Sequence, residues 1–343
     1  MKIALDAYGG DFGLAPNIEG ALDAAGRLGC HVALVGDEAA LKSELKRRGQ
    51  EGDPSFSVVN APGGVIGMEQ EPAIACREKP DSSIMVCADM VARGDADAMV
   101  SMGNSGATAV AALFKLGRLP GVSRPAIALF LPTKTGQVML LDAGAITDAK
   151  PHHLLQYAHM ASIYLQKARG VESPSVGILS VGEEENKGNL LVKETFPLLK
   201  ASGLNFRGCV EGRDIPAGTV DIIVCDGFVG NICLKLAEGM AKTIFQIIKE
   251  AAARNPVYLL GGLLLKGALK DIKAKTDPDA TGGAPLLGVD GVAIIGHGKS
   301  SARGVANALS AAMKFHQSGV NDAIKQAMAR IESEKPAEAG ASK

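Results

Sequence analysis

The chain has 343 residues, of which 47% are hydrophobic and 21% charged, so it can bury a large core and is not a disordered protein. Lysine and arginine total 36 against 37 for aspartate and glutamate, and aromatic residues make up 4% with no tryptophan. This balance excludes a strongly basic phosphate-backbone binder and argues against a stacking module for single-stranded nucleic acid, so we expect no nucleic-acid partner.

Short apolar runs recur along the chain, each followed by a glycine-rich turn and a helical pattern. The predicted strands are Lys2–Ala7, His31–Val35, Ala96–Ser101, Ala126–Leu131, Val138–Asp142, Ser175–Val181, Val220–Cys225 and Val292–Ile295. Continuous apolar runs that alternate with helices predict an α/β fold with a mainly parallel sheet covered on both faces. Ligands bind at the carboxyl ends of such strands, so the loops that follow them are the candidate functional segments.

The first such loop, Asp6–Asp11, holds Gly9 and Gly10 between two carboxylates. Glycines allow a backbone to approach a ligand closely, and an ordinary capping turn is the alternative interpretation. The turn Ser101–Ala107 then opens an apolar helix, and a glycine-rich helix start is suited to phosphate because its N–H groups are unpaired. It matches neither the Walker A nor the dinucleotide-binding motif.

Three later loops also follow predicted strands. Lys187, in the loop Glu183–Gly188, is a cation placed for a phosphate or a developing oxyanion, although three neighbouring carboxylates are also typical of a solvated loop. Asn231 stands at a helix entrance, where an N-cap and a donor to a carbonyl oxygen are both consistent with its amide. His297 lies between two glycines in a second loop that resembles an anion-binding helix start.

The segment over residues 234–275 is helical in pattern and interrupts the alternation. Inside it, the run Pro256–Leu265 is too short to span a bilayer and too apolar for an exposed turn, and four lysines follow it. An apolar tip beside lysines suits the surface of an anionic membrane, and a buried dimer core is the alternative. We therefore expect one α/β unit over residues 1–331 with this excursion, and a frayed tail over residues 332–343.

The six cysteines are scattered without a paired spacing, which predicts reduced core thiols. The chain opens at once on a strand-like segment, so we expect no signal peptide and a cytoplasmic location, with peripheral contact at the inner face of the cell membrane. No catalytic triad or metal-ligand spacing stands out, since the pair His152 and His153 and the pair Asp142 and Asp148 have nonspecific spacings. We predict neither a metal nor a cofactor.

Several motifs in order resemble the phosphate acyltransferase family of bacterial phospholipid synthesis, from Lys2 to about Ile331. They are Asp6–Asp11, Gly103–Ala107, Asp142–Ala145, Lys150–Pro151, Gly182–Gly188, Val210–Gly212, Asp226–Asn231 and Gly296–Gly298. The resemblance implies an α/β/α sandwich related to phosphotransacetylases and isocitrate-dehydrogenase-like enzymes, with a protruding helical hairpin and a homodimer. It also implies the reaction of acyl-acyl-carrier protein with inorganic phosphate to give acyl phosphate for glycerolipid and phospholipid synthesis.

Together the loops and the resemblance give a candidate site, with Lys187 and Asn231 at positions considered catalytic in the family. The predicted phosphate- and substrate-binding residues are Asp6, Gly9, Gly10, Gly103, Asn104, Ser105, Gly106, Ala107, Asp226, Gly230, His297 and Gly298. The chain departs from the family pattern at Tyr8, at Phe12 and at Ile146, where the family has a methionine, a histidine and an asparagine. A role for those family side chains is therefore not carried over.

Three alternatives remain open at this point. A coenzyme-A-dependent phosphate acetyl- or butyryltransferase shares the chemistry and differs in the acyl donor. A dinucleotide dehydrogenase of the related fold requires a substrate-binding arginine cluster and a nucleotide site, which the sequence does not display. A noncatalytic membrane scaffold is the third class.

Overall fold

Twelve strands and thirteen α-helices alternate along residues 1–275 and 277–333, the part of the chain that the computed structural model describes. The strands are β1 (Lys2–Asp6), β2 (His31–Gly36), β3 (Phe56–Asn60), β4 (Ala98–Ser101), β5 (Ala126–Ile127), β6 (Leu129–Pro132), β7 (Gln137–Leu141), β8 (Ser175–Leu179), β9 (Asn205–Val210), β10 (Ile222–Val224), β11 (Ala284–Leu287) and β12 (Ala293–Ile295). The helices are α1 (Leu14–Leu28), α2 (Glu38–Arg47), α3 (Pro72–Glu78), α4 (Ser83–Ala92), α5 (Ser105–Leu116), α6 (Pro151–Arg169), α7 (Leu190–Lys200), α8 (Asp214–Ala217), α9 (Gly227–Ala253), α10 (Pro256–Leu264), α11 (Lys266–Lys275), α12 (Ala302–Gln317) and α13 (Val320–Ser333).

The strands form two sheets, both mainly parallel. The seven-stranded sheet has the order β3-β2-β1-β4-β12-β11-β5, and only β11 runs antiparallel to its neighbours. The five-stranded sheet has the order β6-β7-β10-β8-β9, with β6 antiparallel to β7. The predicted α/β class is confirmed, and each sheet brings the carboxyl ends of its parallel strands to one edge.

The sequence predicts one strand over Ala126–Leu131, and the structure divides it between the two sheets. β5 pairs with β11 of the first sheet, β6 pairs with β7 of the second, and Ala128 alone lies between them. The apolar pattern is continuous across this point because both halves are largely buried, so hydrophobicity does not mark the transfer.

One continuous buried cluster joins the two sheets and the helices between them. It contains Ile3 of β1, Met139 of β7 and Val176 of β8, packed with Tyr157 of α6 and Phe315 of α12. All five side chains are almost completely removed from water. Because apolar burial is the main driving force of folding, this shared core fixes the two sheets, and the loops at their edges, relative to each other.

The helical excursion predicted over residues 234–275 is present and begins earlier than expected. The 27-residue helix α9 starts at Gly227, so the predicted loop Asp226–Asn231 is the cap and first turn of this helix. Helices α10 and α11 follow and complete the hairpin. None of the described helices combines the length and apolarity needed to traverse a bilayer.

The end of the chain differs slightly from its predicted tail. Helix α13 continues through Ser333, so Glu332 and Ser333 are helical, and the rest of the predicted tail, residues 334–343, lies outside the described residues. α13 is held to the core by Val320, Ile324 and Met328, one face of an amphipathic helix.

The six cysteines are all unpaired, and five of them are buried. Only Cys233, on α9, is partly exposed. Burial raises the pKa of Cys225 and of Cys87 well above that of an ordinary thiol. The predicted core thiols are confirmed, and burial keeps them in the unreactive neutral form.

His153 gives the fold a dependence on pH. The backbone N–H of Lys150 donates to its Nδ1 at 3.0 Å at the start of α6. Burial, followed by the positive charges of His152, Arg124 and Lys150, lowers the pKa of His153 from 6.5 to about 4. As the pH falls, the imidazole of the unfolded chain therefore takes up a proton before that of the folded protein does. We expect the free energy of unfolding to fall as the pH drops from 6.5 towards 4.

Urea unfolding at several pH values measures this slope. His153→Gln, which keeps an acceptor for the Lys150 N–H, should flatten the slope between pH 6.5 and 4, whereas His316→Gln on the exposed end of α12 should retain it. An unchanged slope in His153→Gln would assign the acid sensitivity to other groups.

Candidate active site

A cavity of about 1810 Å³ lies at the carboxyl edge of the strands, between the loops of the first sheet and one face of α9. Ser105 and Gly106 contribute to one part of its wall, Asn231 to another, and His297 and Gly298 to a third. The remaining wall is largely apolar and follows α9 towards the hairpin, with Leu234, Phe245 and Ile248 among its residues. The cavity thus combines a polar end with a long apolar flank, which suits a ligand with one charged and one hydrocarbon part.

Asp6 has a structural role below this site. It is fully buried at the end of β1, where its carboxylate accepts the hydroxyl of Ser101 at 2.7 Å, and burial raises the pKa of Asp6. Gly9 follows it closely, because a Cβ on Gly9 would lie 2.7 Å from the backbone nitrogen of Gly103. Gly10 adopts a φ of +93°, which favours glycine. These three predicted binding residues join the β1 and β4 loops.

Asn104 holds the next loop through both ends of its amide. Its Oδ1 accepts the N–H of Ala107 at 3.1 Å, which caps α5, and its Nδ2 donates to the carbonyls of Gly67, Met68 and Gln70. The first N–H groups of a helix have no intrahelical acceptor, and Ser105 and Gly106, the two residues before the capped Ala107, line the cavity. The Asn104 side chain is therefore occupied by structural contacts, and the anion site at this helix start stays a prediction.

Asp142 organises the loop after β7. Its buried carboxylate accepts the backbone N–H groups of Ile127, Gly144, Ala145 and Ile146 at 2.7–3.1 Å. Desolvation by burial raises the pKa of Asp142 even though these donors act in the opposite direction. The result is a tight loop of fixed shape beside the start of α9.

The departure at Ile146 leaves the backbone contacts of this loop in place. Its N–H donates to Asp142 at 2.7 Å, and its carbonyl accepts the N–H of Gly227 at 2.8 Å. Neither interaction depends on the side chain, so isoleucine leaves the connection between this loop and α9 intact.

The first turn of α9 is built from residues with distinct tasks. Asp226 caps the helix by accepting the N–H of Val229 at 2.9 Å. Gly230 packs on the backbone of Asp142, since a Cβ there would meet the Asp142 carbonyl oxygen at 1.9 Å. Asn231 is the exposed member and lines the cavity beside Gly144. Of these three predicted residues, Asn231 is the one available to a ligand.

Lys187 occupies a different position. It is exposed in the loop between β8 and α7, and the described lining of the cavity does not include it. β8 is the direct neighbour of β10 and parallel to it, so Lys187 and the start of α9 follow adjacent strands at the same sheet edge. Its predicted catalytic role stays a prediction.

His297 meets a partner that the sequence reasoning missed. Its Nε2 lies 3.6 Å from Oε1 of Glu238 on α9, and the Nζ of Lys235 lies 3.2 Å from Oε2 of the same carboxylate. Positions 231, 235 and 238 follow the i, i+4, i+7 spacing of one helix face. Starting from Asn231, this spacing in the sequence would have predicted that Lys235 and Glu238 share its face of α9. Among the described residues, no group of three or more histidine, cysteine or acidic side chains is arranged to hold a metal ion.

Comparisons with known proteins agree over nearly the whole chain. The family model described as a fatty acid synthesis protein matches residues 1–323. The phosphate acyltransferase of Elusimicrobium minutum is 55% identical over 329 residues, covering 96% of each chain. Those of Pelotomaculum thermopropionicum and Geobacter sulfurreducens are 45% and 44% identical, covering 97% and 96% of this chain and 96% and 94% of their own.

Solved structures confirm the predicted phosphotransacetylase-like fold. The EutD phosphotransacetylase from Staphylococcus aureus gives a TM-score of 0.57 at 17% identity, covering 92% of this chain and 94% of its own. A phosphotransacetylase from Streptococcus pyogenes gives 0.58 at 17% identity, covering 96% and 94%. At this identity the likeness concerns the fold alone.

Proposed function

This chain belongs to the fatty acid synthesis protein family and is a phosphate acyltransferase, and from that premise we propose its acyl donor and the residues that carry the transfer. The donor is the thioester of acyl-acyl-carrier protein and the acceptor is inorganic phosphate. A phosphate oxygen attacks the carbonyl carbon, the carbon–sulfur bond breaks, and the thiolate leaves on the carrier and takes up a proton. The product is an acyl phosphate for phospholipid synthesis.

The observation that carries this proposal is the cavity itself, whose wall includes both the start of α5 and Asn231 of α9 and continues along a largely apolar flank. The N–H groups of Ser105 and Gly106 at the positive end of α5 hold the phosphate. The amide of Asn231 donates to the thioester oxygen as it becomes an oxyanion. Thiolate is a tolerable leaving group, so no covalent enzyme intermediate is required.

Lys187 supplies the additional positive charge in this proposal. It follows β8 at the edge that also carries Asn231, and a flexible four-carbon side chain extends a cation from that loop towards the phosphate. His297 and Gly298, which line the cavity, complete the phosphate end.

Measurement of free thiol from acyl-acyl-carrier protein tests the function directly. We expect thiol release only when phosphate is present, with acyl phosphate formed in equal amount. Acyl-coenzyme A, as the alternative donor of a phosphate acetyl- or butyryltransferase, should react much more slowly. A preference for the coenzyme A thioester would replace the carrier protein as donor, and thiol release independent of phosphate would indicate hydrolysis instead.

The same proposal includes a homodimer formed through α9. Leu236, Met240, Ile244 and Ile247 are exposed along this helix, although each would contribute about 1.5–3 kcal/mol if buried. Monomeric proteins rarely leave so continuous an apolar surface open to water. A second copy of the chain buries this apolar surface of α9. We expect light scattering to give twice the mass of one chain.

Helix α10 carries the proposed membrane contact. Val257, Tyr258, Leu260 and Leu264 are exposed on it, and Lys266 begins the next helix. An apolar surface flanked by lysine is attracted to anionic headgroups and inserts at the interface. We therefore propose that the enzyme is a peripheral protein at the inner face of the cell membrane.

Vesicle flotation tests the membrane contact. Leu260→Glu combined with Leu264→Glu should abolish flotation with vesicles that contain an anionic phospholipid, because two charges then enter the apolar surface. The matched control, Ile74→Glu with Leu198→Glu, changes two exposed apolar residues elsewhere and should float like the wild type. A hairpin variant that becomes monomeric would instead assign α10 to the dimer core.

A further inference from the structure

One face of α9 supplies a continuous part of the apolar wall of the cavity. From the Asn231 end towards the hairpin, the apolar residues of this face include Leu234, Ala237, Ala241, Phe245 and Ile248. Residues three or four positions apart lie on the same side of an α-helix, so these side chains form a single apolar stripe. The stripe begins one turn after Asn231, the proposed donor to the thioester oxygen. A hydrocarbon chain attached to that thioester can therefore follow an apolar surface along α9.

Side-chain size changes abruptly along this stripe. Ala237 and Ala241 each place only a methyl group in the wall. Phe245, one turn further on, is half-buried and is the largest apolar side chain that α9 contributes to the cavity. A ligand that lies along the stripe from Asn231 thus passes two small side chains and then meets an aromatic ring.

The position of this ring matches the length of a membrane fatty-acyl chain. A rise of about 1.5 Å per residue puts Ala241 about 15 Å and Phe245 about 21 Å beyond Asn231 along the axis of α9. The hydrocarbon core of a bilayer is about 30 Å thick and consists of two layers of acyl chains, so one chain extends about 15 Å. An acyl group whose carbonyl oxygen is at Asn231 therefore ends near Ala241, one turn before Phe245.

This stripe is separate from the apolar surface that we assign to the dimer. The described cavity lining includes none of the four exposed residues of that surface, which are Leu236, Met240, Ile244 and Ile247. α9 thus has two apolar sides, one towards the cavity and one towards the proposed second copy. Substitutions within the stripe can accordingly change the cavity while the dimer surface keeps its residues.

We propose that Phe245 limits the length of the acyl chain that the enzyme accepts, because its ring meets the terminal methyl group of a chain that runs from Asn231 along the stripe. This inference rests on the proposed acyl transfer, since it takes Asn231 as the position of the thioester. Phe245 does not touch the reacting atoms. It acts only on the far end of the chain, so the expected signature is a change in chain-length preference.

The kinetic test compares carrier thioesters whose saturated acyl chains differ in length. In the wild type, we expect kcat/KM to rise about four-fold with each buried methylene group and to stop rising once the chain reaches Phe245. Phe245→Ala should move this maximum to longer chains, because the ring is gone. Ala241→Phe should shorten the accepted chain by about one helical turn, or about 5.4 Å. It should therefore lower kcat/KM for the best wild-type substrate by about 10-fold to 100-fold.

Phe114→Ala on α5 and Gln246→Phe on α9 are the matched controls, since neither residue belongs to the described cavity lining. Both should keep the chain-length maximum of the wild type. Thermal unfolding and light scattering verify that every variant is folded and has the mass of the wild type. An unchanged maximum in folded Phe245→Ala would overturn the proposal, whether or not Ala241→Phe moves it.

Calorimetric titration with alkyl phosphonates of increasing chain length gives a readout that does not require turnover. These compounds combine an anionic group with a hydrocarbon chain, as an acyl phosphate does, and are used below the concentration at which they form micelles. We expect Kd to fall with each added methylene group up to a limiting length, and this limit should be longer in Phe245→Ala.

The two readouts separate this inference from the proposed function. If the wild type transfers no acyl group to phosphate, the proposed function fails, while phosphonate binding still reports whether Phe245 ends the site for the hydrocarbon chain. An identical limiting length in the wild type and in Phe245→Ala would contradict the role of Phe245 even if the enzyme is active.

Discussion

Asn231→Ala is expected to lower kcat by about 100-fold to 1,000-fold, the usual effect of removing one donor to an oxyanion. The side chain is exposed at the cavity wall, whereas the residues around it are occupied by structural contacts. Its loss therefore removes a hydrogen bond that strengthens as charge develops on the thioester oxygen, and it leaves the packing of α9 unchanged. KM for phosphate should change little.

Initial rates of phosphate-dependent thiol release measure this effect. Asn205→Ala on β9 is the control, since its amide donates to the carbonyl of Ser173 on the surface, far from the cavity edge. Lys187→Ala should also reduce turnover strongly if this lysine holds the phosphate. A rate for Asn231→Ala within about three-fold of the wild type would remove Asn231 from the mechanism and leave the α5 N–H groups as the oxyanion donors.

Gly230→Ala is expected to destabilise the protein by about 1–3 kcal/mol or more and to reduce activity as well. A Cβ at this position would lie 1.9 Å from the carbonyl oxygen of Asp142 and 3.1 Å from Sγ of Cys225. A backbone oxygen in a tight loop cannot rotate aside as a side chain does, so the start of α9 must move. Asn231 is the next residue and moves with it.

Urea unfolding and initial rates together test this prediction, and the same helix supplies a control. A Cβ on Gly239 meets no atom within 4 Å. Gly239→Ala should stabilise the helix by about 0.5–1 kcal/mol, because alanine loses less conformational entropy. If Gly230→Ala unfolds like the wild type, the helix start tolerates displacement and the close approach has no energetic importance.

Apolar continuity predicted the central strands and missed three others. β3 and β9 lie at the edges of their sheets, where one side is half-exposed, and β9 includes Arg207 and Gly208. β11 is internal but contains Pro285, which lacks an N–H group and so argues against a strand from sequence. Its carbonyl nevertheless accepts the N–H of Ala128 at 3.0 Å. Whether such segments form strands depends on pairing partners that are distant in the sequence.

The sequence predicted the loops of the candidate site more completely than it predicted the roles of their side chains. The rule that ligands bind at carboxyl strand ends brought Ser105, Asn231 and His297 to one cavity. Asp6 and Asn104 were assigned to the ligand, yet their polar atoms are used by neighbouring loops. Glu238 was missed because it lies within a helix. A charged residue there is normally interpreted as part of the solvent-exposed face unless its partner is known.

The buried cysteines make the reaction easy to follow. Five of the six enzyme thiols are enclosed in the core, and burial raises the pKa of the partly exposed one, Cys233. A chromogenic disulfide reagent added to the assay therefore reacts with the sulfhydryl that the reaction frees on the carrier far faster than with the enzyme. Every variant described above can accordingly be screened continuously in a plate reader, with the catalyst present throughout and little background colour.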